Sequence, residues 1–243
     1  MIQYAVVIPS KNLSNLIACV SAIRTNGENC RIIVVDDSEV GFPPIGDGIE
    51  VIHGVRPFVF SKNVNLGIRH AGDLDIVCQN DDCLLKTPLG FALLRQQSVE
   101  HPDFGAISPG FNLGGARHMN LVNQGRPHLA TEPIMLIFAA CYIPRSTIDR
   151  VGLLDERFGI NAGGPGARGY GLEDDDYSLR IRKTGLKLGV YDGVKVDHTT
   201  LKSTFRDDPE HKADVRAHED LFTEIHGHWP EGHGFAPRGK RNA

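Results

Sequence analysis

Asp73-Leu-Asp-Ile-Val-Cys-Gln-Asn-Asp-Asp82 is an apolar run of strand length that ends abruptly in Asn80, Asp81 and Asp82. Leu74, Ile76, Val77 and Cys78 suit a strand covered on both faces, as strands of parallel α/β sheets are. In such sheets ligands bind in the crevice beyond the carboxyl ends of the strands, so this strand delivers its acids to a site. Carboxylates placed there hold a hard cation. Taken alone, Asn-Asp-Asp also reads as a solvated turn, and the rest of the chain decides between the two.

Working outward, strand and helix patterns alternate. Tyr4–Pro9 is an apolar strand, followed by Leu13, Leu16, Ile17, Val20 and Ile23 at helical spacing until Asn26-Gly27 stops the pattern. Arg31–Asp37 is a second buried strand, again ending in paired acids, and a strand–helix–strand unit of this kind is right-handed and parallel. Gly41–Gly48 reads as a loop and Ile49–His53 as a strand. Ser61–His70 reads as a short helix capped by Ser61. Thr87-Pro88 supplies an N-cap and first residue for a helix reaching Glu100, and Phe104–Ser108 a further strand. Pro109–Arg126 is polar and rich in Gly and Asn, which predicts a long excursion, and Pro133–Ile143 suits a central strand. After a helix near Ser146–Val151, the six glycines of Gly159–Gly171 cannot pack a core and predict a lid that closes over ligands. Leu172–Lys183 is helical, Leu186–Tyr191 and Val194–Val196 read as two short strands, and a helix is expected over Pro209–Ile225. The expected fold is α/β: a single Rossmann-like domain over 1–204, its mostly parallel sheet flanked by helices, then a polar, His-rich helix and tail over 205–243.

Composition narrows the function. The 243 residues, 41% hydrophobic and 23% charged, suffice for one large α/β domain. A formal charge of −4 gives no sign of a nucleic-acid binder, although Arg238-Gly-Lys-Arg241 is locally basic. Five cysteines, odd in number and without Cys-x-x-Cys, fit reduced thiols in a cytosol-like compartment, with Cys78 and Cys83 as core filler. No apolar stretch approaches the ~20 residues of a membrane span, and the N-terminus runs directly into a strand, so a soluble, unprocessed cytoplasmic protein is expected. His211, His218, His226, His228 and His233 are irregularly spaced and read as a solvated tail rather than a metal store.

In chain order the sequence holds Val6-Val-Ile-Pro9, Val34-Val-Asp-Asp-Ser38, Asn63-Val-Asn-Leu-Gly67, Asn80-Asp-Asp82, Gly152-Leu-Leu-Asp-Glu-Arg-Phe158, Glu173-Asp-Asp-Asp-Tyr-Ser-Leu-Arg180 and Asp197-His198. Together, over roughly residues 4–200, these resemble the family-two glycosyltransferases of the A-type fold. The resemblance implies an inverting transfer of a sugar from a nucleotide-diphosphate donor to a hydroxyl-bearing acceptor, assisted by Mn²⁺ or Mg²⁺. It implies that Pro9 and Ser10 line the nucleotide pocket, that Asp37 sits near the base or ribose, and that Asn65 lies beside the donor or serves as a cap or surface residue.

By the same resemblance Asn80-Asp81-Asp82 matches an Asp-x-Asp signature in which Asn80 replaces the first acid. Asp82 is then a metal ligand, Asp81 a contact to the donor sugar or ribose, and His198 the late metal-ligand histidine. Glu173-Asp174 matches the acid pair that holds the general base, Asp174, while Asp175 and Asp176 suit the positive end of the helix dipole and Arg180 pairs with one of them. Processive members carry Gln-x-x-Arg-Trp and membrane helices after this pair. The only tryptophan here is Trp229, so single addition is expected. Polysaccharide, lipid-linked glycan, protein, small molecule and modified nucleic acid all offer the required hydroxyl. Two other readings share these residues: a non-catalytic nucleotide-sugar or carbohydrate-binding protein, if Asn80 marks a degraded site, and a sugar-nucleotide pyrophosphorylase. The second needs a basic, Gly-rich triphosphate loop where this chain has Ser10-Lys11-Asn12-Leu13.

Overall fold

The computed structural model describes residues 2–56, 58–111, 127–130, 135–158, 171–202 and 211–228. In chain order the elements are β1 (Tyr4–Ser10), α1 (Leu13–Thr25), β2 (Arg31–Asp36), β3 (Ile49–His53), α2 (Phe60–Ala71), β4 (Asp75–Gln79), β5 (Leu84–Leu85), α3 (Gly90–Glu100), β6 (Phe104–Phe111), β7 (Leu129–Ala130), β8 (Ala140–Ile143), α4 (Arg145–Val151), α5 (Glu173–Lys183), β9 (Lys187–Asp197) and α6 (His211–His226). One sheet holds all nine strands in the order β3-β2-β1-β4-β8-β6-β9-β5, with β7 on β9.

The half from β3 to β4 is parallel throughout. Beyond β4, the ladders of β8 with β4 and with β6 are antiparallel and that of β6 with β9 is parallel. Alternation along the parallel strands divides the core into two layers. Tyr4, Val6 and Ile8 of β1, with Ile32 and Val34 of β2, pack on Leu16, Cys19, Val20 and Ile23 of α1 and on Phe91 and Leu94 of α3. Ala5, Val7, Ile33 and Val35 face the other way, onto Val64 and Ile68 of α2, Ile148 of α4, and Tyr177 and Ile181 of α5. Each such Val, Leu or Ile contributes about 1.5–3 kcal/mol on burial, which is why near-continuous apolar strands fold only between two helix layers. The spacing of α2 from β1 is set by Gly67, where an added Cβ would lie 2.2 Å from Val7 Cγ1.

Several local expectations are corrected by tertiary contacts. Ser61 does not cap α2: Val59 holds the N-cap position, and Ser61 Oγ donates to the Phe158 carbonyl at 2.9 Å. Nor does Thr87 cap α3, which begins at Gly90 after Leu89 in a left-handed conformation (φ 54°). Thr87 Oγ1 accepts from Lys195 N at 2.8 Å, and the Phe91 amide is satisfied by the remote Glu28 carboxylate at 2.7 Å.

Of the strand expected over Pro133–Ile143, the described residues from Met135 on form strand only over Ala140–Ile143, because its partner β4 ends in a turn at Asn80. Leu136 N instead takes Ser178 Oγ of α5 at 3.1 Å, and Phe138 packs edge-on against Tyr177. The two strands expected over 186–196 are one, β9, whose register against β6 jumps between Tyr191 and Lys195 at Asp192-Gly193. β6 is longer than expected and runs through Phe111, into the excursion expected over Pro109–Arg126; residues 112–126, like the glycine-rich 159–170 and the tail from 229, lie outside the described residues. All five cysteines are free thiols. Among the described residues no helix is long and apolar enough to cross a membrane.

Candidate nucleotide and metal site

β1, β2 and β4 end side by side, and their last residues and the turns beyond them form the site. Ser10 pairs with Asp36 in register, and Ser10 Oγ donates to Asp81 Oδ2 at 2.6 Å. The paired acids after β2 have separate roles. Asp36 holds the following loop, accepting from Ser38 N at 2.8 Å and from Phe42 N at 2.6 Å. Asp37 does not: its Oδ1 is buried with no hydrogen-bond partner among the described residues. Burial pushes its carboxyl up to about 6, an effect that the charge of nearby Lys11 opposes. A buried acceptor held in this way binds an N–H or hydroxyl more strongly than an exposed one, because the desolvation that a ligand would otherwise impose is already present. Pro9, one residue earlier in β1, is buried at the strand end.

After β4 the chain turns sharply. Cys83 N bonds the Asn80 carbonyl at 3.2 Å, closing a turn with Asp81 and Asp82 at its two central positions, while Asn80 N is anchored to Ala139 O at 2.8 Å. The turn reading of Asn-Asp-Asp therefore holds, and the turn sets the direction of the two acids at the end of β4. Asp81 is buried, and desolvation pushes it up to about 7 against the hydrogen bond from Ser10.

Asp82 Oδ1 lies 3.0 Å from His198 Nε2, and both residues are largely buried. Their meeting is built by β5, which follows Asp82 directly and pairs antiparallel with the end of β9, Leu84 opposite Asp197 and Leu85 opposite Val196. Asp197 then caps the turn carrying His198, accepting from Thr199 N at 2.9 Å, Thr200 N at 3.2 Å and both threonine hydroxyls. Phe111 lies against the imidazole at 6.1 Å between ring centres. A carboxylate and an imidazole converging on one point fit a divalent cation. Among the described residues no group of three or more His, Cys, Asp or Glu side chains could hold a metal ion, so a cation at Asp82 and His198 would need further oxygen ligands from elsewhere.

The acid pair opens α5, in the helix layer on the face of the sheet opposite α1. Leu172 adopts φ 68°, a strained conformation for a residue with a Cβ, and turns the chain into α5 so that Glu173 and Asp174 begin the helix. Glu173 is buried and accepts from Gly171 N, whereas Asp174 is half-buried and its Oδ1 accepts from Asp175 N at 3.0 Å. Both carboxyls are pushed up, first by desolvation, then for Asp174 by the charges of Asp175 and Glu173. After burial, the charges of Glu173 and Asp174 are what raise the Cys78 thiol on β4, so the pair lies within electrostatic reach of the strand that carries Asp81 and Asp82. Asp176 is the partner of Arg180, at 2.9 Å, and also accepts from His226 of α6 at 2.8 Å.

The sequence reading missed Asn15. This buried side chain of α1 donates to the Lys202 carbonyl at 3.1 Å and hydrogen-bonds Asp81, linking the turn acids to the segment after His198. Only a polar residue three positions after the cap Asn12, on a face otherwise apolar, could have signalled it. Asn65, expected beside the donor or as a cap or surface residue, is neither a cap nor exposed; its amide bonds the backbone of Leu154.

A parallel half with acids at its carboxyl edge, joined through antiparallel β8 to a mixed half that returns a histidine to those acids, is the A-type glycosyltransferase fold. The chain matches GalNAc-T7, solved with UDP, GalNAc and Mn²⁺, with a TM-score of 0.65 and 12% identity over 93% of this chain and 50% of that one. It also matches the mannosyltransferase PcManGT from Pyrobaculum calidifontis, solved with GDP-Man and Mn²⁺, with a TM-score of 0.64 and 16% identity over 84% of this chain and 58% of that one. The chain thus spans about half the length of the solved structures it matches. No family model matches the sequence, and no curated protein matches it.

Proposed function

We propose that this protein is a metal-dependent, inverting glycosyltransferase that moves one sugar at a time from a nucleotide-diphosphate donor to a hydroxyl acceptor. The observation that carries this reading is the buried Asp82–His198 pair, 3.0 Å apart, at the carboxyl edge of the sheet. Mn²⁺ stands with a nucleotide in GalNAc-T7 and with a nucleotide sugar in PcManGT, on the same fold. In this assignment Asp37 accepts hydrogen bonds from the base or ribose, Pro9 and Ser10 line the nucleotide pocket, and Asn80 and Asp81 face the donor. Asp82 and His198 would hold Mn²⁺ or Mg²⁺, which when bound would supply positive charge to stabilise the departing diphosphate.

The acceptor oxygen attacks the anomeric carbon from the face opposite the diphosphate. The bond from that carbon to the phosphate oxygen breaks with its electron pair leaving on the diphosphate, and the acceptor proton passes to Asp174. Burial and the charges of Asp175 and Glu173 raise the Asp174 carboxyl, which makes it a stronger proton acceptor than an exposed carboxylate. Glu173, fully buried and bonded to the Gly171 amide, holds the entrance to α5.

The test is a thermal-shift screen of nucleotide sugars with and without Mn²⁺, followed by transfer assays with the donor that stabilises the fold. Asp174→Asn should reduce turnover on the order of 10²–10⁴-fold at nearly constant donor affinity, and the product should have inverted anomeric configuration by NMR. Retention of configuration, or full turnover without Asp174, would overturn the mechanism. Cation-dependent donor binding with no transfer to any hydroxyl would favour a non-catalytic binding protein.

A further inference from the structure

Residues 151–156 form a strap between α2 and α5, held from both sides by side chains. From α5, Arg180 donates to the carbonyls of Val151 at 3.1 Å and Leu153 at 2.8 Å, and Tyr177 Oη donates to Gly152 O at 2.9 Å. From α2, Asn65 Nδ2 donates to Leu154 O at 2.9 Å and to Glu156 Oε1 at 3.0 Å, while Asn65 Oδ1 accepts from Leu154 N at 3.0 Å. Asn65 is 1% exposed. Both protons of its amide nitrogen are therefore engaged within the protein. Tyr177 lies one turn beyond Glu173 and Asp174 on the same helix, and Arg180 about two turns beyond them.

We propose that Asn65 is a positioning residue for the acceptor step: it fixes the strap, the strap fixes α5, and α5 places Asp174. This rests on the reading of Asp174 as the base. It departs from the donor-side role that resemblance suggests for Asn65, since a side chain with its donors engaged on Leu154 and Glu156 has little left for a nucleotide. A shift of about 1 Å at a reacting group can cost on the order of 10²-fold in rate, so a strap that moves α5 affects turnover while leaving the donor pocket at β1, β2 and β4 intact.

Asn65→Asp tests this at constant size. It keeps an acceptor for Leu154 N but turns a carboxylate oxygen toward Leu154 O and Glu156, which repel it. Glu156→Gln then restores a donor–acceptor pair with its direction reversed. For Asn65→Asp we expect turnover to fall about 10–100-fold, with the affinity for UDP or GDP plus Mn²⁺ unchanged by calorimetry. Hydrogen exchange at the Glu173–Asp176 amides should accelerate, and the Asn65→Asp/Glu156→Gln double variant should recover part of the turnover, since it restores the contact at position 156 but not the bond to Leu154 O, with Glu156→Gln alone as control.

A loss of nucleotide affinity at unchanged turnover would make Asn65 a donor contact and overturn the proposal, as would a loss of turnover that Glu156→Gln does not repair. Should Asn65→Asp not fold, Arg180→Lys loosens the strap from the other side while keeping a cation opposite Asp176. The same split between turnover and affinity is expected, and parent-like turnover overturns the proposal. If the parent transfers no sugar from any donor, the reading of Asp174 fails separately, and the exchange rates decide: acceleration at 173–176 supports the strap and unchanged exchange refutes it.

Discussion

Replacing Asp37 with Asn is expected to stabilise the ligand-free protein at neutral pH while weakening its hold on nucleotide. Asp37 is 5% exposed, its Oδ1 has no partner among the described residues, and burial moves its pKa from 3.8 to about 6. At about 1.4 kcal/mol for each pH unit between the two values, the ionised carboxylate costs the folded state roughly 3 kcal/mol.

The sign follows from proton counts. Below pH 3.8 folded and unfolded chains both hold the proton, and nothing is lost. Between 3.8 and about 6 the folded chain keeps a proton that the unfolded chain has released, so stability falls as pH rises. Above about 6 the whole loss is present. An amide cannot titrate, but it introduces an N–H group in need of a partner at a cost of about 1–2 kcal/mol, leaving a net gain of about 1–2 kcal/mol at pH 7.

The clean signature is the difference in unfolding free energy between variant and parent. Measured by urea denaturation, it should grow by about 2–2.5 kcal/mol from pH 4 to pH 7, since a small part of the cost is already present at pH 4. Other acids of the site titrate in both proteins and largely cancel; Asp81, whose carboxyl the Asp37 charge raises slightly, adds only a minor difference. Calorimetry with UDP or GDP and Mn²⁺ should show the variant binding more weakly. An offset that does not change with pH, or a destabilisation that grows with pH, would refute the reasoning.

Three further outcomes are expected. Asp82→Ala should abolish the Mn²⁺ dependence of nucleotide binding, and His198→Ala should weaken it less, because water can fill a vacated position; unchanged metal coupling in the Asp82 variant by calorimetry removes that residue from the site. Glu173→Gln should retain more transfer activity than Asp174→Asn, and the reverse ranking in a rate assay would exchange their roles. Gly67→Ala gains about 1 kcal/mol of helix propensity but drives a methyl to 2.2 Å from Val7 Cγ1, so a net loss of about 1–2 kcal/mol is expected by urea denaturation. Adding Val7→Ala makes room for that methyl, and the double variant should lose less than the sum of the two single changes by on the order of 1 kcal/mol; simple additivity would show that the contact is not the cause.

The strands β1, β2 and β4 were legible because near-continuous Val and Ile runs have one stable use, between two helix layers. The acids at their ends were legible because a strand that stops in Asp can only project those acids at the sheet's carboxyl edge. Helix starts were less so. Ser61 and Thr87 are cap residues by type, yet each has a tertiary partner, Phe158 O and Lys195 N, that outcompetes its own helix. The short ladders were not legible at all: Leu84–Leu85 is two residues long and carries no periodicity.

What the sequence determined by itself was therefore local: strand against helix, buried against exposed, and acids where strands end. The tertiary structure alone decided which of those groups meet. Asp82 and His198 stand 116 positions apart and come within 3.0 Å because a two-residue strand pairs with the end of β9. Asp36 and Asp37 are chemically identical neighbours, and only the loop folding back to Phe42 separates an acid that holds backbone amides from one whose oxygen is buried without a partner among the described residues. Spacing along a chain records what a backbone hydrogen-bonds and buries locally, whereas the partner of a buried polar group is fixed only once the sheet has closed around it.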